Sequence, residues 1–324
     1  MIISKTPFRI SFCGGSTDLK EFYQHKPGAV ISTAINKYMY ITVNRKFDNQ
    51  IRISYSKTEN VKHVDEIEHD LVRESLKATG ITEGIEITSM ADIHSKGTGL
   101  GSSSSFTVGL INALHAHKGE HKSPEFLAKK ACEIEIDVLK EPIGKQDQYI
   151  AAYGGLRYFR FNPDDTVSVE PILCQNSIRE ELQNNLLLFY TGFTRNAREI
   201  LHEQKAKMVD KKEILSEMVN LASELRDALR QSDLTEFGAL LHKNWLLKKQ
   251  LASGISNPIL DQYYDKALQA GALGGKILGA GGGGFLLFYC DQEKQAQVKE
   301  ALKELLFTRF KFESEGSKII YTED

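Results

Sequence analysis

Short apolar stretches bounded by turn residues dominate the first third of the chain. They are rich in β-branched and aromatic residues, a pattern that predicts strands. The predicted strands cover residues 2–13, 29–35, 38–45, 51–56 and 84–90. Helical spacing of apolar residues occurs once in this part, over residues 66–79, and Gly80 marks the end of that helix. The pattern therefore predicts an α+β domain.

A second helix is predicted where Ser123-Pro124-Glu125 supplies an N-cap, a first-turn proline and an early acid. This helix should run to about residue 140. A short segment at 146–153 and a strand at 156–161 follow it. The turn after that strand, at 162–165, is the predicted domain boundary. It divides the chain into an N-terminal domain, 1–165, and a C-terminal domain, 166–324.

The C-terminal domain is predicted to begin with helices and to end with a small sheet. Apolar residues recur at helical spacing over residues 196–207, 211–230, 233–251 and 256–270. The remaining elements are strands at 276–278 and 285–289, a helix at 291–306, and strands at 308–312 and 318–321. This order predicts a small antiparallel sheet covered by helices on one side.

The composition is that of a globular protein large enough for two domains. The chain has 324 residues, and its 41 basic and 43 acidic residues give a net charge of −2. This balance gives no reason to expect nucleic acid or a membrane as a partner. No apolar run reaches the roughly 18 residues that span a bilayer, and no signal-peptide core follows the N-terminus. We therefore expect a cytoplasmic protein, and the sequence leaves open whether it forms a homodimer.

A segment rich in glycine and serine lies between a predicted strand and a stretch with helical spacing at 106–116. Glycines let a ligand approach the backbone, and the first N–H groups of a helix attract anions. The segment therefore predicts a phosphate cradle, although a flexible connector has a similar composition. No G-x-x-x-x-G-K-[ST] motif is present, which disfavours a Walker-type nucleotidase. The cradle residues are Gly97, Thr98, Gly99, Leu100, Gly101, Ser102, Ser103 and Ser104.

A second glycine cluster contains the pattern G-x-G-x-x-G at Gly279, Gly281 and Gly284. In a dinucleotide-binding fold this pattern opens a helix. Here it leads into residues 285–289, which have the composition of a buried strand. We therefore predict a tight turn between two strands.

Four charged residues are candidates for chemistry. Asp147 lies beside Lys145 after a helix end, so it could orient the proton of an attacking hydroxyl or cap a short helix. Arg9 lies in a strand otherwise destined for the core, where it needs an acidic partner such as Asp147 or an anionic ligand. Asp18 could bind sugar hydroxyls or cap a helix. Glu135 could face solvent or turn inward as a metal ligand.

Three blocks of the sequence, taken in order, resemble the GHMP kinase superfamily of small-molecule kinases. They are residues 7–19, 97–105 and 279–285. The first block ends in Gly-Gly-Ser-Thr-Asp-Leu and is similar to the sugar kinase branch. Residues 191–195, Thr-Gly-Phe-Thr-Arg, resemble its D-glycero-D-manno-heptose 7-phosphate kinase group. The resemblance implies a ribosomal-protein-S5-like N-terminal domain, a ferredoxin-like C-terminal domain, and an active site in the cleft between them.

The resemblance also implies roles for individual residues. The segment 97–104 would hold the phosphates of ATP, and Ser103 and Glu135 would hold Mg²⁺. Asp147 would be the catalytic base or hydroxyl-orienting group, and Arg9 would favour its charged form and stabilise transferred charge. The substrate residues would be Asp18, Gly15, Ser16, Arg195, Gly281 and Gly282. Residues 93–96 depart from the proline and glycine of many relatives, so Lys96 could reach a phosphate or point into solvent.

The resemblance thus implies an ATP-dependent kinase that phosphorylates the anomeric hydroxyl of D-glycero-D-manno-heptose 7-phosphate. The product would be the 1,7-bisphosphate used for nucleotide-activated heptose synthesis. A sugar phosphate needs basic residues that bind its phosphate, and the candidates are Arg195, Arg198 and Lys145. Two alternatives stay open. One is a kinase of an unphosphorylated sugar of the fucose or galactose type, and the other is a sugar and nucleotide sensor that does no chemistry.

Overall fold

The structure, a computed structural model, describes residues 1–93, 97–193 and 197–323. Over these residues the strands are, in chain order, β1 (Ile2–Cys13), β2 (Gly28–Arg45), β3 (Ile51–Ser54), β4 (Thr58–Val61), β5 (Ile85–Ala91), β6 (Leu156–Phe161), β7 (Val167–Pro171), β8 (Leu186–Tyr190), β9 (Gly274–Ile277), β10 (Phe285–Tyr289), β11 (Leu306–Phe307), β12 (Phe312–Glu313) and β13 (Lys318–Thr322).

The α-helices of the same residues are α1 (Lys20–Tyr23), α2 (Asp70–Thr79), α3 (Ser102–His117), α4 (Pro124–Cys132), α5 (Gln146–Tyr153), α6 (Asn176–Asn184), α7 (Ala197–Ala206), α8 (Lys212–Arg230), α9 (Leu234–Lys248), α10 (Pro258–Gln269) and α11 (Gln295–Ala301). A π-helical segment, Glu133–Val138, continues α4.

Nine strands form a large sheet built around the two longest strands, β1 and β2. The order is β13-β1-β2-β5-β3-β4, with β12 and β6 also paired to β2 and β7 paired to β6. Strands β3 and β5 are parallel, and the other neighbours are antiparallel. Helix α3 packs across β1 and β2, which brings its first turn beside the strand that carries Arg9.

A smaller antiparallel sheet, β11-β8-β10-β9, lies in the C-terminal part of the chain. All of β10 is buried, and its side chains alternate between two cores because successive residues of a strand face opposite sides. Leu286 and Phe288 pack in the cluster that contains Trp245. Leu287 and Tyr289 pack in the cluster that contains Phe237. Both faces of this sheet are therefore covered, whereas the sequence pattern predicts helices on one face only.

Local sequence signals account for several element ends. The Ser123 hydroxyl accepts a hydrogen bond from the N–H of Phe126, and Pro124 is the first residue of α4, as predicted. Gly80 ends α2 with a φ of 70°, a left-handed conformation that glycine adopts without a Cβ clash. The predicted tight turn between β9 and β10 is confirmed, because these two strands pair directly around the glycine cluster.

Long-range pairing changes the pattern-based prediction at two places. Residues 29–35 and 38–45 form one strand, because β1 pairs along nearly the whole of β2 and bridges the irregularity between them. The last strand, β13, pairs with β1 in the large sheet and not with the small sheet. The chain therefore returns to the N-terminal sheet at its end, and the limits 1–165 and 166–324 stay a prediction.

The two sheets share a hydrophobic core. Phe12 of β1 meets Phe237 of α9 edge-to-face, with ring centroids 5.3 Å apart. The same buried cluster extends from β1 and β2 through α8 and α9 to β10. Residues at the end of β1 are thereby fixed against the C-terminal part of the chain. No helix within the described ranges is long and apolar enough to cross a bilayer.

Candidate active site

The predicted pairing of Arg9 with Asp147 is confirmed. The guanidinium of Arg9 donates to both carboxylate oxygens of Asp147, from Nε to Oδ1 and from Nη2 to Oδ2, each at 2.7 Å. Its third nitrogen, Nη1, donates to the carbonyl oxygen of Gly99. Arg9 is 4% exposed, whereas the Asp147 side chain is 22% exposed. The pair therefore holds the carboxylate in one orientation and leaves it accessible beside the glycine-rich segment.

Asp18 fixes the start of the helix that carries Asp147. Its carboxylate is buried, and Oδ2 accepts the N–H of Gln146, the first residue of α5, at 3.1 Å. Burial raises the pKa of Asp18, and the N–H of Gln146 opposes this shift. A Cβ at Gly144 would lie 2.1 Å from Asp18 Oδ2, so only glycine allows this approach. Asp18 therefore caps α5 and not the helix that follows it, and it also lines the cavity next to Arg9 and Asp147.

The segment 97–104 forms a sharply turned loop that leads into α3. Gly97, Gly99 and Gly101 all have φ between 70° and 76°, and Gly101 is the N-cap of α3 without a side-chain cap. The Arg9 N–H donates to the carbonyl of Leu100 at 3.0 Å, which ties the loop to β1. Leu100 is wholly buried, Thr98 and Ser104 are buried, and Ser103 is exposed. The exposed or half-buried positions of this loop are therefore its glycines and Ser103.

The second glycine turn packs directly on the first. A Cβ at Gly99 would lie 2.3 Å from the carbonyl oxygen of Leu278, and a Cβ at Gly284 would lie 2.5 Å from that of Thr98. Such approaches require glycine on both sides. Gly279 and Ala280 line the cavity at Arg9 and Asp147. Gly281 and Gly282 pack against Ile255, with a hydrogen bond from the Gly282 N–H to its carbonyl at 2.8 Å. Their predicted contact with substrate stays a prediction.

Glu135 turns inward, as one of its two alternatives predicts. It lies in the π-helical segment, a form of helix that is frequent at functional sites, and it is fully buried. Its carboxylate accepts hydrogen bonds from four side chains, at distances of 2.5–3.2 Å: Gln148, Ser104, Thr107 and Ser103. Burial raises its pKa to about 7, and these donors oppose the shift.

The pairing of Ser103 with Glu135 fits a magnesium site. Mg²⁺ in nucleotide sites is commonly held by one or two protein oxygens together with phosphate oxygens and water. Ser103 Oγ lies 3.2 Å from Glu135 Oε1, so the two oxygens could share one ion. Across the described parts of the chain, no group of three or more His, Cys, Asp and Glu side chains is arranged to hold a metal. A metal at Glu135 would therefore depend on ligands that a nucleotide brings.

A separate cleft of about 880 Å³ lies at the start of α3. It is lined by Ser102 and Ser103 and by an aromatic wall in which His69 stacks on Phe106 with ring centroids 5.1 Å apart. Tyr55 meets His69 edge-to-face. A large cleft with aromatic walls and a helix N-terminus at its base has the features of a nucleotide pocket.

The sequence analysis does not identify two lysines that line the Asp147 cavity. Lys248, at the end of α9, and Lys276, in β9, are 5% and 4% exposed, and both line the cavity with Arg9 and Ser16. Burial lowers the pKa of Lys248 to about 8 and that of Lys276 to about 7. Lys248 follows two leucines in an amphipathic pattern, and Lys276 follows two glycines. Neither context distinguishes a buried lysine from a solvated one.

Two of the basic residues predicted to bind the substrate phosphate form ion pairs with acidic side chains. Lys145 forms an ion pair with Asp165 at 2.7 Å, so the cation at Asp147 is Arg9 and not its sequence neighbour. Arg198 forms an ion pair with Glu141. Arg195 and Lys96 lie outside the described residues. Gly15 and Ser16 line the Asp147 cavity, and Ser16 has a φ of 84°, an unusual value for a residue with a side chain.

Comparison with known proteins identifies the family. The family model for the GHMP kinase N-terminal domain matches residues 65–155, and the model for the C-terminal domain matches residues 225–307. The D-glycero-alpha-D-manno-heptose 7-phosphate kinase of Campylobacter jejuni is 31% identical to the chain and aligns over 98% of both proteins. The bifunctional fucokinase/GDP-fucose pyrophosphorylase of Arabidopsis thaliana is 26% identical over 92% of the chain and 31% of the plant protein.

A solved structure gives the same fold. The D-glycero-D-manno-heptose 1-phosphate kinase from Bacteroides thetaiotaomicron superposes with a TM-score of 0.82 at 24% identity, over 100% of both chains. The expected two-domain architecture and the resemblance stated from three sequence blocks are confirmed. The chain therefore belongs to the GHMP kinase family and is an ATP-dependent sugar kinase.

Proposed function

We propose that this kinase transfers the γ-phosphate of ATP to the anomeric hydroxyl of D-glycero-D-manno-heptose 7-phosphate. The product would be the 1,7-bisphosphate, a precursor of nucleotide-activated heptose. The observation that carries the proposal is the Asp147 carboxylate, held by Arg9 in a cavity that is also lined by two further cations, Lys248 and Lys276. Such a cavity suits an acceptor that brings its own negative charge. The similarity to the Campylobacter heptose 7-phosphate kinase supports this choice of sugar.

In this proposal Asp147 accepts or steers the proton of the acceptor hydroxyl. Each of its carboxylate oxygens accepts one hydrogen bond from Arg9, so each keeps a lone pair for the substrate. An anomeric hydroxyl is more acidic than an ordinary alcohol, which makes one carboxylate adequate for this step. Arg9 also places positive charge beside the transferred group, where phosphoryl transfer depends on positioning and charge stabilisation.

The glycine-rich segment would bind the phosphates of the nucleotide. Ser102 and Ser103, at the start of α3, line the aromatic cleft, and a helix N-terminus attracts phosphate. Ser103 and Glu135 would hold Mg²⁺, which supplies charge neutralisation when bound. Asp18 would hold the start of α5, and with it Asp147, in position beside the sugar.

The second candidate function is phosphorylation of a free sugar. The similarity to the plant fucokinase favours it, because that protein is named for an unphosphorylated acceptor. The two candidates predict opposite preferences for a sugar phosphate.

A panel of acceptors separates the two candidates. The enzyme is incubated with ATP and Mg²⁺ and with heptose 7-phosphate, free heptose, fucose or galactose, and ³¹P NMR identifies the phosphorylated oxygen. We expect heptose 7-phosphate to have the highest kcat/KM and a new phosphate on its anomeric carbon. Turnover of free fucose or galactose without turnover of heptose 7-phosphate would reject the proposal.

A further inference from the structure

Lys248 and Lys276 approach one cavity from two elements of the C-terminal part of the chain. Lys248 is the last residue of α9, and Lys276 lies in β9. The opposite wall is the N-terminal loop with Gly15 and Ser16. The cavity has a volume of about 80 Å³, which is room for a small polar group.

Neither ammonium group has an acidic partner within the described ranges. Lys248 Nζ donates to Ser16 Oγ at 2.5 Å and to Gln204 Oε1 at 3.4 Å. Lys276 Nζ donates to the carbonyl oxygen of Phe12 at 3.2 Å. An ammonium group has three donors, so each lysine has at least one left over. Buried cations without a counter-ion are costly, and proteins rarely retain them without a reason.

The carboxylates of the cavity offset these charges only in part, through the attraction between Asp18 and Lys248. Arg9 engages both oxygens of Asp147, and Asp18 accepts N–H groups of Ser16 and Gln146. The wall therefore has three cations against two carboxylates that already have other partners. Positive charge in excess excludes a metal ion and favours an anion.

One neutral side chain of the wall also has an unused hydrogen-bonding group. The hydroxyl of Ser11 is buried, lines the same cavity and has no hydrogen-bond partner in the described structure. Burial accounts for the lowered pKa values of the two lysines, and an anion between them would favour their charged forms. Two ammonium groups and a free hydroxyl match the charge and the acceptor oxygens of a phosphate ester.

We propose that Lys248 and Lys276, with Ser11, form the subsite for the phosphate that the acceptor sugar already carries. This assignment rests on the proposed function, in which the acceptor is a sugar phosphate. A phosphate at this place could also be the one being transferred from ATP. The two sources differ in a measurable way, because every acceptor shares the transferred phosphate and only a sugar phosphate brings its own.

The test compares Lys248→Met and Lys276→Met with wild type on heptose 7-phosphate and on free heptose. Lys249→Met is the matched control, because Lys249 is adjacent in sequence but forms an ion pair with Asp261. We expect each cavity variant to lose roughly 10- to 100-fold in kcat/KM for heptose 7-phosphate, as for loss of a charged hydrogen bond. The value for free heptose and the KM for ATP should change less than about threefold. Equal losses on both sugars, or no loss on either, would overturn the subsite.

Binding of inorganic phosphate tests the subsite without any sugar. Calorimetry should give at least about tenfold weaker binding in both variants than in wild type and in Lys249→Met, and equal binding would overturn the proposal. Lys276→Gln provides a second variant, because it keeps a donor for the Phe12 carbonyl while removing the charge. If wild type does not phosphorylate heptose 7-phosphate, the proposed function fails, while the phosphate titration still decides the subsite.

Discussion

At the scale of single residues, the Asp147 carboxylate owes its place to two separate contacts. Arg9 fixes the orientation of the Asp147 side chain, and Asp18 fixes the first turn of the helix beneath it. Both partners are buried, so the carboxylate is more restrained than a surface aspartate. Such restraint reduces the reorganisation needed when a hydroxyl arrives.

Replacement of Asp147 by Asn tests its role directly. The amide keeps the size of the side chain but removes its capacity to accept a proton, so we expect kcat to fall by about 10²- to 10⁴-fold with little change in the affinity for ATP. Steady-state assays and nucleotide titration measure the two effects. Asp164→Asn, in an exposed turn, should retain activity within about twofold. Unchanged turnover in Asp147→Asn would remove this residue from the mechanism.

The buried lysines should make stability depend on pH. Their pKa values lie near 8 and 7 in the folded protein, against 10.5 ordinarily, so the unfolded chain binds more protons between pH 7 and 10. Stability of the ligand-free protein should therefore rise with pH in this range, by up to about 1.4 kcal/mol per pH unit for each lysine. The charged and titratable groups facing the two lysines are Asp18, Arg9 and Cys13, the last with its pKa raised to about 12.

Urea unfolding at pH 7.0 and 8.5 measures this slope. Lys276→Met should flatten it and should be more stable than wild type at pH 7.0, because a buried uncompensated ammonium is replaced by an apolar group. Lys249→Met should keep the wild-type slope. A slope that is the same in all three proteins would show that the ammonium of Lys276 is not destabilised by burial.

Sequence reasoning reaches some of these residues and misses others for a physical reason. Arg9 stands among apolar residues of one strand, so its need for a partner is visible locally, and the pairing with Asp147 could be predicted. Lys248 and Lys276 become buried only when α9 and β9 close against the loop after β1. Since that contact joins segments more than 200 residues apart, no local pattern reports it.

At the scale of elements, two glycine turns from distant parts of the chain support each other. Gly99 lies against Leu278, and Gly284 lies against Thr98, in both cases backbone to backbone. The segment 97–104 is therefore held by packing against the second glycine turn as well as by Arg9. The predicted strands β1, β6 and β10 have the expected bounds, because the apolar residues that define each strand lie within its own sequence.

Two elements could not be predicted from local patterns. The π-helical segment that turns Glu135 inward alternates acidic and apolar residues, so its pattern does not show which acidic side chain faces the core. Strand β4 is short and polar, and it exists because β3 offers it an open edge. In both cases the deciding interactions are made with other elements.

A pair of glycine substitutions tests the packing of the two turns. Gly99→Ala places a Cβ 2.3 Å from a carbonyl oxygen, whereas Gly80→Ala, at a similar positive φ, meets open space. We expect Gly80→Ala to cost about 1 kcal/mol of unfolding free energy and Gly99→Ala clearly more. Gly99→Ala should also raise the KM for ATP by at least about tenfold. Equal costs, with an unchanged KM, would contradict the packing described here.

At the scale of the whole molecule, the two sheets contribute side chains to one hydrophobic core. Phe12 and Phe237 join β1 to α9, and the final strand β13 returns to β1. The pattern of the sequence predicts two domains, and it gives the type of each element but not the element with which it pairs. Strand β13 is the clearest example, since its composition is equally compatible with either sheet.

The shared core predicts cooperative unfolding. Trp245 is the single tryptophan of the chain and is buried in the C-terminal cluster, so its fluorescence reports that part, while far-UV circular dichroism reports the whole. We expect the two urea midpoints to coincide. Phe237→Ala should shift both together, by roughly 3–5 kcal/mol in unfolding free energy. A fluorescence midpoint that separates from the circular dichroism midpoint would show that the domains unfold independently.

The contact between the two glycine turns also limits how such kinases can be recombined. A chimera that joins the N-terminal half of this enzyme to the C-terminal half of a relative would place two turns of different origin face to face. Because the backbones touch without any side chain between them, one bulkier residue on either side would displace the segment 97–104. Exchange of acceptor specificity between relatives should therefore succeed only when both turns are transplanted as a matched set.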